Sequence, residues 1–448
     1  MPLPRRITCI AVLVSAALAT AACGSSSSPT AAGSEPSATP ATAGTAGTAG
    51  TAGTQLYFVD GNTADYSGDF EPGTLNGVRA TLPGGKIGDE FRQRILKINS
   101  KVKDFTYAPE AYDATILSAL AAVAAKNDSG KAIAEKEIGI TRDGTKCTSF
   151  KQCADLLADG TDIDYDGASG PIKMNSTGSP SAATVGIYQF GQDNNYKNVG
   201  YVNGTTPDQA NIRADQKVSG PIPKGDGTLT FGTLLPATGD SSFLGAPQFA
   251  GVDLAIDEIN KAGGVLGKDV KQLKGDSGDG SPNIAPSETD KLLRGGADVI
   301  IGAASSSVSL SVIDKITGAG VVQISAGNTS TAFDTYPDHG MYFRTAPSDV
   351  LQGQVMAQTI SEDGHRNIAI LARQDAYGEA LAKNVRSFYE ESGGKVVSYA
   401  LYDANAANYT AEVEKVKAQD PDAIVLISFD ESKKIIPELI KAGIGQNG

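Results

Sequence analysis

The sequence predicts a doubly wound α/β fold built on parallel sheets. Three observations carry this. Apolar runs of strand length alternate with helix-length amphipathic runs through most of the chain. A second series of such runs starts near residue 229, after a polar stretch with several prolines and glycines. Residues 299–331 hold the clearest strand–helix–strand unit. Val299, Ile300 and Ile301 form a short β-branched strand that ends in Gly302-Ala303-Ala304 and in Ser305, Ser306 and Ser307. Val308, Leu310, Val312, Ile313 and Ile316 follow at mostly helical spacing. Val321, Val322 and Ile324 form the next strand, ending in Ser325, Gly327, Asn328 and Thr329. Two polar strand ends thus fall side by side. Ligands of open α/β sheets bind just outside such ends. Hydroxyls and free N–H groups at a helix start suit a carboxylate or another small anion. A serine there is also an ordinary helix cap, so Ser305 and Ser306 read either way.

In chain order, Arg5 and Arg6 precede an apolar run over residues 7–18 that is too short to span a membrane and stay there. Ala21-Ala22-Cys23-Gly24 resembles a bacterial lipoprotein box, in which the cysteine becomes the lipid-bearing first residue. Thr20 departs from the aliphatic residue usual in that box. Residues 1–23 therefore read as a lipoprotein signal peptide that carries Cys9 away. Cleavage after Ala21 and release as a soluble protein is the alternative. Residues 24–54 are Ser, Pro, Ala, Thr and Gly with one charge, Glu35, and a TAG repeat. They read as a flexible tether.

Residues 56–59 read as a strand ending in Asp60-Gly61-Asn62, and 77–82 as another. Residues 89–98 have helical spacing at Phe91, Ile95 and Ile98. Residues 111–125 form a helix with Tyr112, Ile116, Leu120 and Val123 on one face. A short helix over 153–157 and strands over 170–174 and 183–190 follow. Residues 204–227 read as a linker between a segment 55–203 and the second series. That series has a strand at 229–235, a Gly- and Ser-bearing loop at 236–245, and an amphipathic helix at 249–262 closed by Gly263-Gly264. After the unit at 299–331 come strands at 366–372, 395–402 and 423–427. Helices at 379–392, 409–419 and 432–442 alternate with them.

The chain has 448 residues, enough for two or three domains' worth of core, and a net charge of −13, which argues against nucleic acid as a partner. Its two histidines, His339 and His365, are too few for a histidine-rich metal site, and both read as solvated turn residues rather than catalytic bases. Residues 162–167 look like the start of a calcium loop, but the twelfth position is Lys173 where a bidentate Glu is needed. No phosphate-binding loop or nucleophile elbow is present, and no metal or cofactor is expected. Cys147 and Cys153 read as a local disulfide rather than two free thiols, because the exported compartment is oxidising.

From Gly227 onward the chain resembles the first part of the branched-chain amino-acid type substrate-binding proteins of ABC importers. The stretches that carry this are TLLPATGDSSFLGAPQFAGVDLAIDEINKAGGVLG, IIGAASSSVSLSV, FRTAPSDVLQG, LARQDAYGEALA and DPDAIVLISFDES. LYFVDGN, GTLNGVRAT, YAPEAYDATILSALAA, DYDGASGPI and ATVGIYQFG, between Leu56 and Tyr201, resemble the final part of the same family. The order is swapped, so the chain reads as a circular permutant. A flexible joiner over 204–227 reaches roughly 25–30 Å on average. Two half-lobes paired across two molecules are the rival arrangement. The resemblance implies a type I periplasmic-binding-protein fold: two Rossmann-like lobes with a hinge, closing on a ligand. Residues 228–346 begin the first lobe, with about 104–162 added. Residues 347–448 begin the second, with 56–103 and the last strands to Tyr201.

The resemblance also implies site residues. A ligand carboxylate would sit on Ser306 or Ser305, Gly327 and Thr329. Asp60 matches the acidic position that takes the ammonium group, although a turn-forming role before Gly61 is the bland alternative. Tyr377 matches the tyrosine that covers the ligand. Phe429 and the Phe243-Leu244 pair are wall candidates that could equally be core. Asp60→Ala or Thr329→Ala is expected to weaken binding at least tenfold, about 1.4 kcal/mol. The expected function is non-enzymatic: a monomeric, membrane-tethered protein that captures a small amino acid or amide and delivers it to an ABC permease. A ligand sensor using the same cleft is the alternative, and an α/β enzyme the third class.

Overall fold

A computed structural model describes residues 53–206, 217–239 and 241–446. The expected signal peptide, Cys23 and nearly all of the tether lie outside these, as does the middle of the expected linker. The described elements, in order, are β1 (Gln55–Phe58), β2 (Arg79–Pro83), α1 (Asp89–Ile98), α2 (Ala108–Ala125), α3 (Gly130–Glu137), β3 (Thr145–Cys147), α4 (Phe150–Ala158), β4 (Ile163–Gly167), β5 (Gly170–Pro171), β6 (Ala182–Phe190) and β7 (Tyr196–Thr205). There follow β8 (Thr230–Leu235), α5 (Ser242–Lys261), β9 (Lys271–Asp276), α6 (Ala285–Arg294), β10 (Val299–Gly302), α7 (Ser306–Gly318), β11 (Val322–Ser325) and β12 (Tyr342–Arg344). The last are α8 (Asp349–Glu362), β13 (Asn367–Arg373), α9 (Ala376–Glu391), β14 (Lys395–Tyr402), α10 (Thr410–Lys417), β15 (Ala423–Ile427) and α11 (Ser432–Ala442).

Two sheets organise the molecule. A five-stranded parallel sheet has the order β12-β11-β10-β8-β9. A seven-stranded sheet has the order β14-β13-β15-β1-β2-β6-β7, parallel as far as β2 and antiparallel beyond. The expected α/β class with Rossmann-like lobes is therefore the observed one. Its central strands are continuous apolar runs because helices cover both faces. β1, from the start of the described chain, pairs in parallel with β15, from its end, and with β2.

The five-stranded lobe also needs the early part of the chain. α2 is an alanine-rich helix buried over almost its whole length, not on one face as its spacing suggested. It crosses α5 at Gly251, where a Cβ would lie 2.3 Å from the carbonyl oxygen of Ala108. α1 joins this lobe too: Phe91 and Ile95 pack in the same core, and Arg94 pairs with Glu258 of α5 at 2.7 Å. The expectation put residues 89–98 in the other lobe. The chain passes between the sheets along residues 84–88, 174–181 and 345–348. Two of these crossings are tied to their surroundings: Thr345 Oγ1 donates to Glu110 O of α2 at 2.8 Å, and Arg344 N at the end of β12 donates to Gly178 O at 2.9 Å.

Other differences are local. α5 begins at Ser242, inside the expected loop, and carries Pro247 within it. Proline and glycine near its start mimic a loop signal. In the expected strand at 170–174 only Gly170 and Pro171 pair as a strand. β7 runs to Thr205, into the expected linker. Residues 163–167 are strand β4, and Lys146 bridges Asp164 at 3.0 Å and Asp166 at 2.9 Å. His365 is partly buried, its ring set edge-on to Tyr57 at 5.8 Å, rather than solvated. Cys147 and Cys153 form a disulfide with Cα atoms 5.4 Å apart. Among the described residues no helix is long and apolar enough to cross a membrane.

Candidate functional site: a cavity between two sets of strand ends

Asp60 stands just past the carboxyl end of β1, an interior strand. The sequence QLYF is buried from Leu56 on, so the first polar residue after Val59 falls at the sheet's end. Asn62 fixes the turn that follows. Its Oδ1 accepts from Val59 N at 2.8 Å, and its Nδ2 donates to Leu426 O at 2.9 Å and Ser428 Oγ at 3.0 Å. Gly61 is required by close approach: a Cβ there would lie 2.6 Å from Ser428 O and 2.8 Å from the Phe429 ring.

The Asp60 carboxylate is 4% exposed. Oδ1 accepts from the Tyr377 hydroxyl at 2.6 Å and from Gln352 Nε2 at 3.0 Å; Oδ2 accepts from the Tyr107 hydroxyl at 2.6 Å. Tyr377 opens α9, whose amino end is capped by Asp375, accepting from Tyr377 N at 3.1 Å and Gly378 N at 2.8 Å. The Tyr377 ring stacks on Phe429 with centroids 5.2 Å apart. The Arg373 guanidinium lies 3.9 Å from the Phe429 ring centroid and is held by Asp375 and Glu431. Tyr107 comes from the other lobe. It occupies the residue before α2 with φ 61°, a conformation that costs an L-residue roughly 1–2 kcal/mol.

Facing these, Ala304, Ser306 and Gly327 come from the ends of β10 and β11, and Leu244 and Gln248 from α5. With Asp60, Gly61, Tyr107, Tyr377 and Phe429 they line a narrow cavity with little free space. Further contacts join the lobes beside it. Ser307 Oγ accepts from Ala376 N at 3.0 Å, and Ser330 Oγ donates to Ala376 O at 2.7 Å.

Of the residues named from sequence, the structure brings Asp60, Ser306, Gly327, Tyr377 and Phe429 to one cavity. Three others stand apart. Ser305 precedes α7 without a side-chain cap bond, and its hydroxyl donates to Gly280 O at 3.3 Å. Thr329 is fully buried outside the cavity lining. Phe243 packs against the core of the seven-stranded lobe, while its neighbour Leu244 reaches the cavity. Tyr107, Gln248 and Gln352 were missed. Tyr107 heads the YAPEA stretch where a helix-capping Ser or Asp would be ordinary. Gln248 and Gln352 are polar residues on buried helix faces, a signal open to a reader who first knows which face is buried.

The electrostatics are uncompensated. Burial pushes Asp60 above the usual carboxylate range, against the pull of hydrogen bonds from Tyr107, Tyr377 and Gln352. Burial and the charge of Asp60 push both tyrosines well above theirs. Among the described residues no Lys or Arg makes an ion pair with Asp60. One wall thus offers a desolvated carboxylate, and the other offers the amino end of α7 with small and hydroxyl residues. A ligand with a cationic and an anionic end fits that polarity.

Two α/β lobes, joined by several chain crossings, enclose a polar cavity between strand ends, an arrangement suited to hinged closure. The model of the periplasmic binding protein family matches residues 228–448. The leucine-, isoleucine-, valine-, threonine- and alanine-binding protein of Pseudomonas aeruginosa is 32% identical over 185 residues, 41% of this chain and 48% of that protein. The chemotactic signal transduction system substrate-binding protein BasB of Halobacterium salinarum is 28% identical over 225 residues, 47% of this chain and 53% of that protein. The solved structure of the branched-chain amino acid transporter substrate binding protein LivJ from Streptococcus pneumoniae, with isoleucine, is 26% identical with a TM-score of 0.44, covering 49% of this chain and 62% of that one. The chain spans about half the length of the curated relatives it matches.

Proposed function

We propose that this protein is an extracytoplasmic solute-binding protein that closes its two lobes on a small amino acid or related amide and delivers it to an ABC importer. The observation that carries this is Asp60. It is a buried carboxylate that no Lys or Arg among the described residues pairs with, set across a small cavity from Ser306 and Gly327 at the start of α7 and the end of β11. The ligand's ammonium group would meet Asp60 and the hydroxyls of Tyr107 and Tyr377. Its carboxylate would meet the amino end of α7, and its side chain Leu244 and Phe429. The chemistry is capture, not turnover. A lipid on Cys23 and the tether over 24–54 would hold the protein at a membrane beside its permease.

The chain order belongs to the same reading. The pairing of β1 with β15 and β2 supports a circular permutation, since β1 fills the place that follows β15 in the sheet. Gln446 adds to this: its Oε1 accepts from Leu56 N at 3.0 Å. Matches confined to about half of each relative fit a swapped order. A sensor role for the same cleft is the second reading, favoured by the likeness to a chemotaxis binding protein. A thermal-shift panel of L-amino acids, amides and small aromatic acids tests the ligand class. A rise of the midpoint with one amino acid or amide is expected. Response to aromatic acids alone would overturn the class, and mass analysis recovering an altered ligand would overturn the non-enzymatic reading.

A further inference from the structure

Asp349 opens α8, is fully buried, and has no hydrogen-bond partner on either carboxylate oxygen among the described residues. Thr329 lies against it. Asp349 N donates to Thr329 O at 2.7 Å, and the Thr329 side chain favours the ionised carboxylate, yet Thr329 Oγ1 makes no hydrogen bond of ordinary geometry. One helical turn on, Gln352 reaches Asp60 Oδ1, and its own Oε1 is unpartnered. A second carboxylate therefore lies buried behind the cavity, close enough for its charge and that of Asp60 to oppose each other.

The charged groups that face Asp349 are few. Asp60 and Asp334 are negative. Among the described residues the cation that acts on it is Arg344, whose guanidinium is already committed to Asp334, to Ser330 O at 2.8 Å and to Ser179 Oγ at 2.8 Å. The hydroxyls of Tyr107 and Tyr377 point at Asp60, leaving Asp349 the amino end of α8. Two ionised carboxylates with so little compensation in a water-poor region would each carry a desolvation cost and repel the other. A single proton on the pair relieves both.

We propose that Asp60 and Asp349 act as an acidic pair that holds one proton while the cavity is empty and releases it to solvent when a cationic ligand group enters. This rests on the cavity being an ammonium site. One O–H bond breaks, the proton goes to bulk buffer, and the ligand's ammonium takes over as the positive charge facing the pair. The proton and the ligand therefore compete. Affinity falls as the solution is acidified through the range where the pair titrates, and the effect belongs to the pair rather than to either residue. Asp349 is a positioning residue here: it acts through Asp60 and touches no ligand.

The test is calorimetric titration of the full chain with L-leucine at several pH values from 5 to 8, in buffers of different ionisation enthalpy. Between about 0.5 and 1 proton released per L-leucine is expected where the pair titrates, and close to none for Asp349→Asn, whose affinity loses its pH dependence. L-leucine binding with no buffer dependence at any pH overturns the proposal and leaves the ammonium site standing. Should no amino acid bind, the site reading fails, and the pair is judged on the empty protein. There, an infrared difference spectrum of wild type against Asp349→Asn at pH 7 should show a protonated-carboxyl band lost on substitution; identical spectra overturn it.

Discussion

Asp60 accepts hydrogen bonds from Tyr107, Tyr377 and Gln352. These three orient the carboxylate and keep it acceptor-rich toward the cavity. Tyr377→Phe removes one of them and the hydroxyl that accepts from Gly61 N at 3.2 Å, with little change in packed volume. Affinity should fall about five- to tenfold, near 1 kcal/mol for one charge-assisted bond. A thermal midpoint that drops while affinity stays constant would give Tyr377 a packing role only. Thr329 lies off the cavity, so the tenfold expectation from sequence carries over to Asp60 alone. A different buried acid gives a pH prediction. Glu137 is fully buried, accepts from Ser118 Oγ at 3.0 Å through one oxygen, leaves the other unpartnered, and is pushed up to about 8 by burial. Its folded-state pKa is above the unfolded one, so its contribution is complete below about pH 4.3 and lost as pH rises toward 8. Glu137→Gln should raise the thermal midpoint at pH 8–9 and change it little at pH 4–5. The opposite ranking would remove desolvation as the cause.

Elements place these residues, and some of that placement could be read from the sequence. The helices at 89–98 and 432–442 and the strand at 423–427 match the observed bounds, because periodicity and end signals agree there. β9 and α6 went unread. KQLKGD at a sheet edge and APSETDKLLR on the surface carry too few apolar residues to show their period. Of the candidate cavity, Asp60 and Tyr377 were legible through the family resemblance, and Ser306 through its place at a polar strand end. Tyr107 was not, because it depends on where α2 packs, and nothing local to the sequence states that α2 crosses α5. Gly251 sets that crossing. Gly251→Ala would drive a methyl to 2.3 Å from Ala108 O unless the helices separate. We expect a loss of about 1–3 kcal/mol in chemical denaturation. Weaker ligand binding should accompany it, since Tyr107 heads the displaced helix. An unchanged midpoint would mean the two helices can part without cost.

At the scale of the whole molecule, the early and late segments are interleaved. The seven-stranded sheet takes β13, β14 and β15 from the late segment and β1, β2, β6 and β7 from the early one. The five-stranded lobe borrows α1 and α2 from the early segment for its core. Neither segment completes a lobe without the other, so folding must bring distant parts of the chain together before the cavity exists. If chain order is incidental to the final packing, a rejoined chain with residues 228–446 ahead of 55–206 should melt cooperatively. It should also bind the same ligand within about threefold, roughly 0.6 kcal/mol. A rejoined chain that folds but has no binding would mean that the present connection between β7 and β8 shapes the site.

The central claim is that a small zwitterion is captured through Asp60 in the cavity between the lobes. Side-by-side calorimetric titration of the wild-type chain and Asp60→Ala, with the amino acid or amide that gives the largest thermal shift, tests it most directly. The account predicts saturable one-to-one binding by the wild type and at least a tenfold weaker constant for the variant, about 1.4 kcal/mol or more. Equal affinities, with both proteins cooperatively folded, would contradict it.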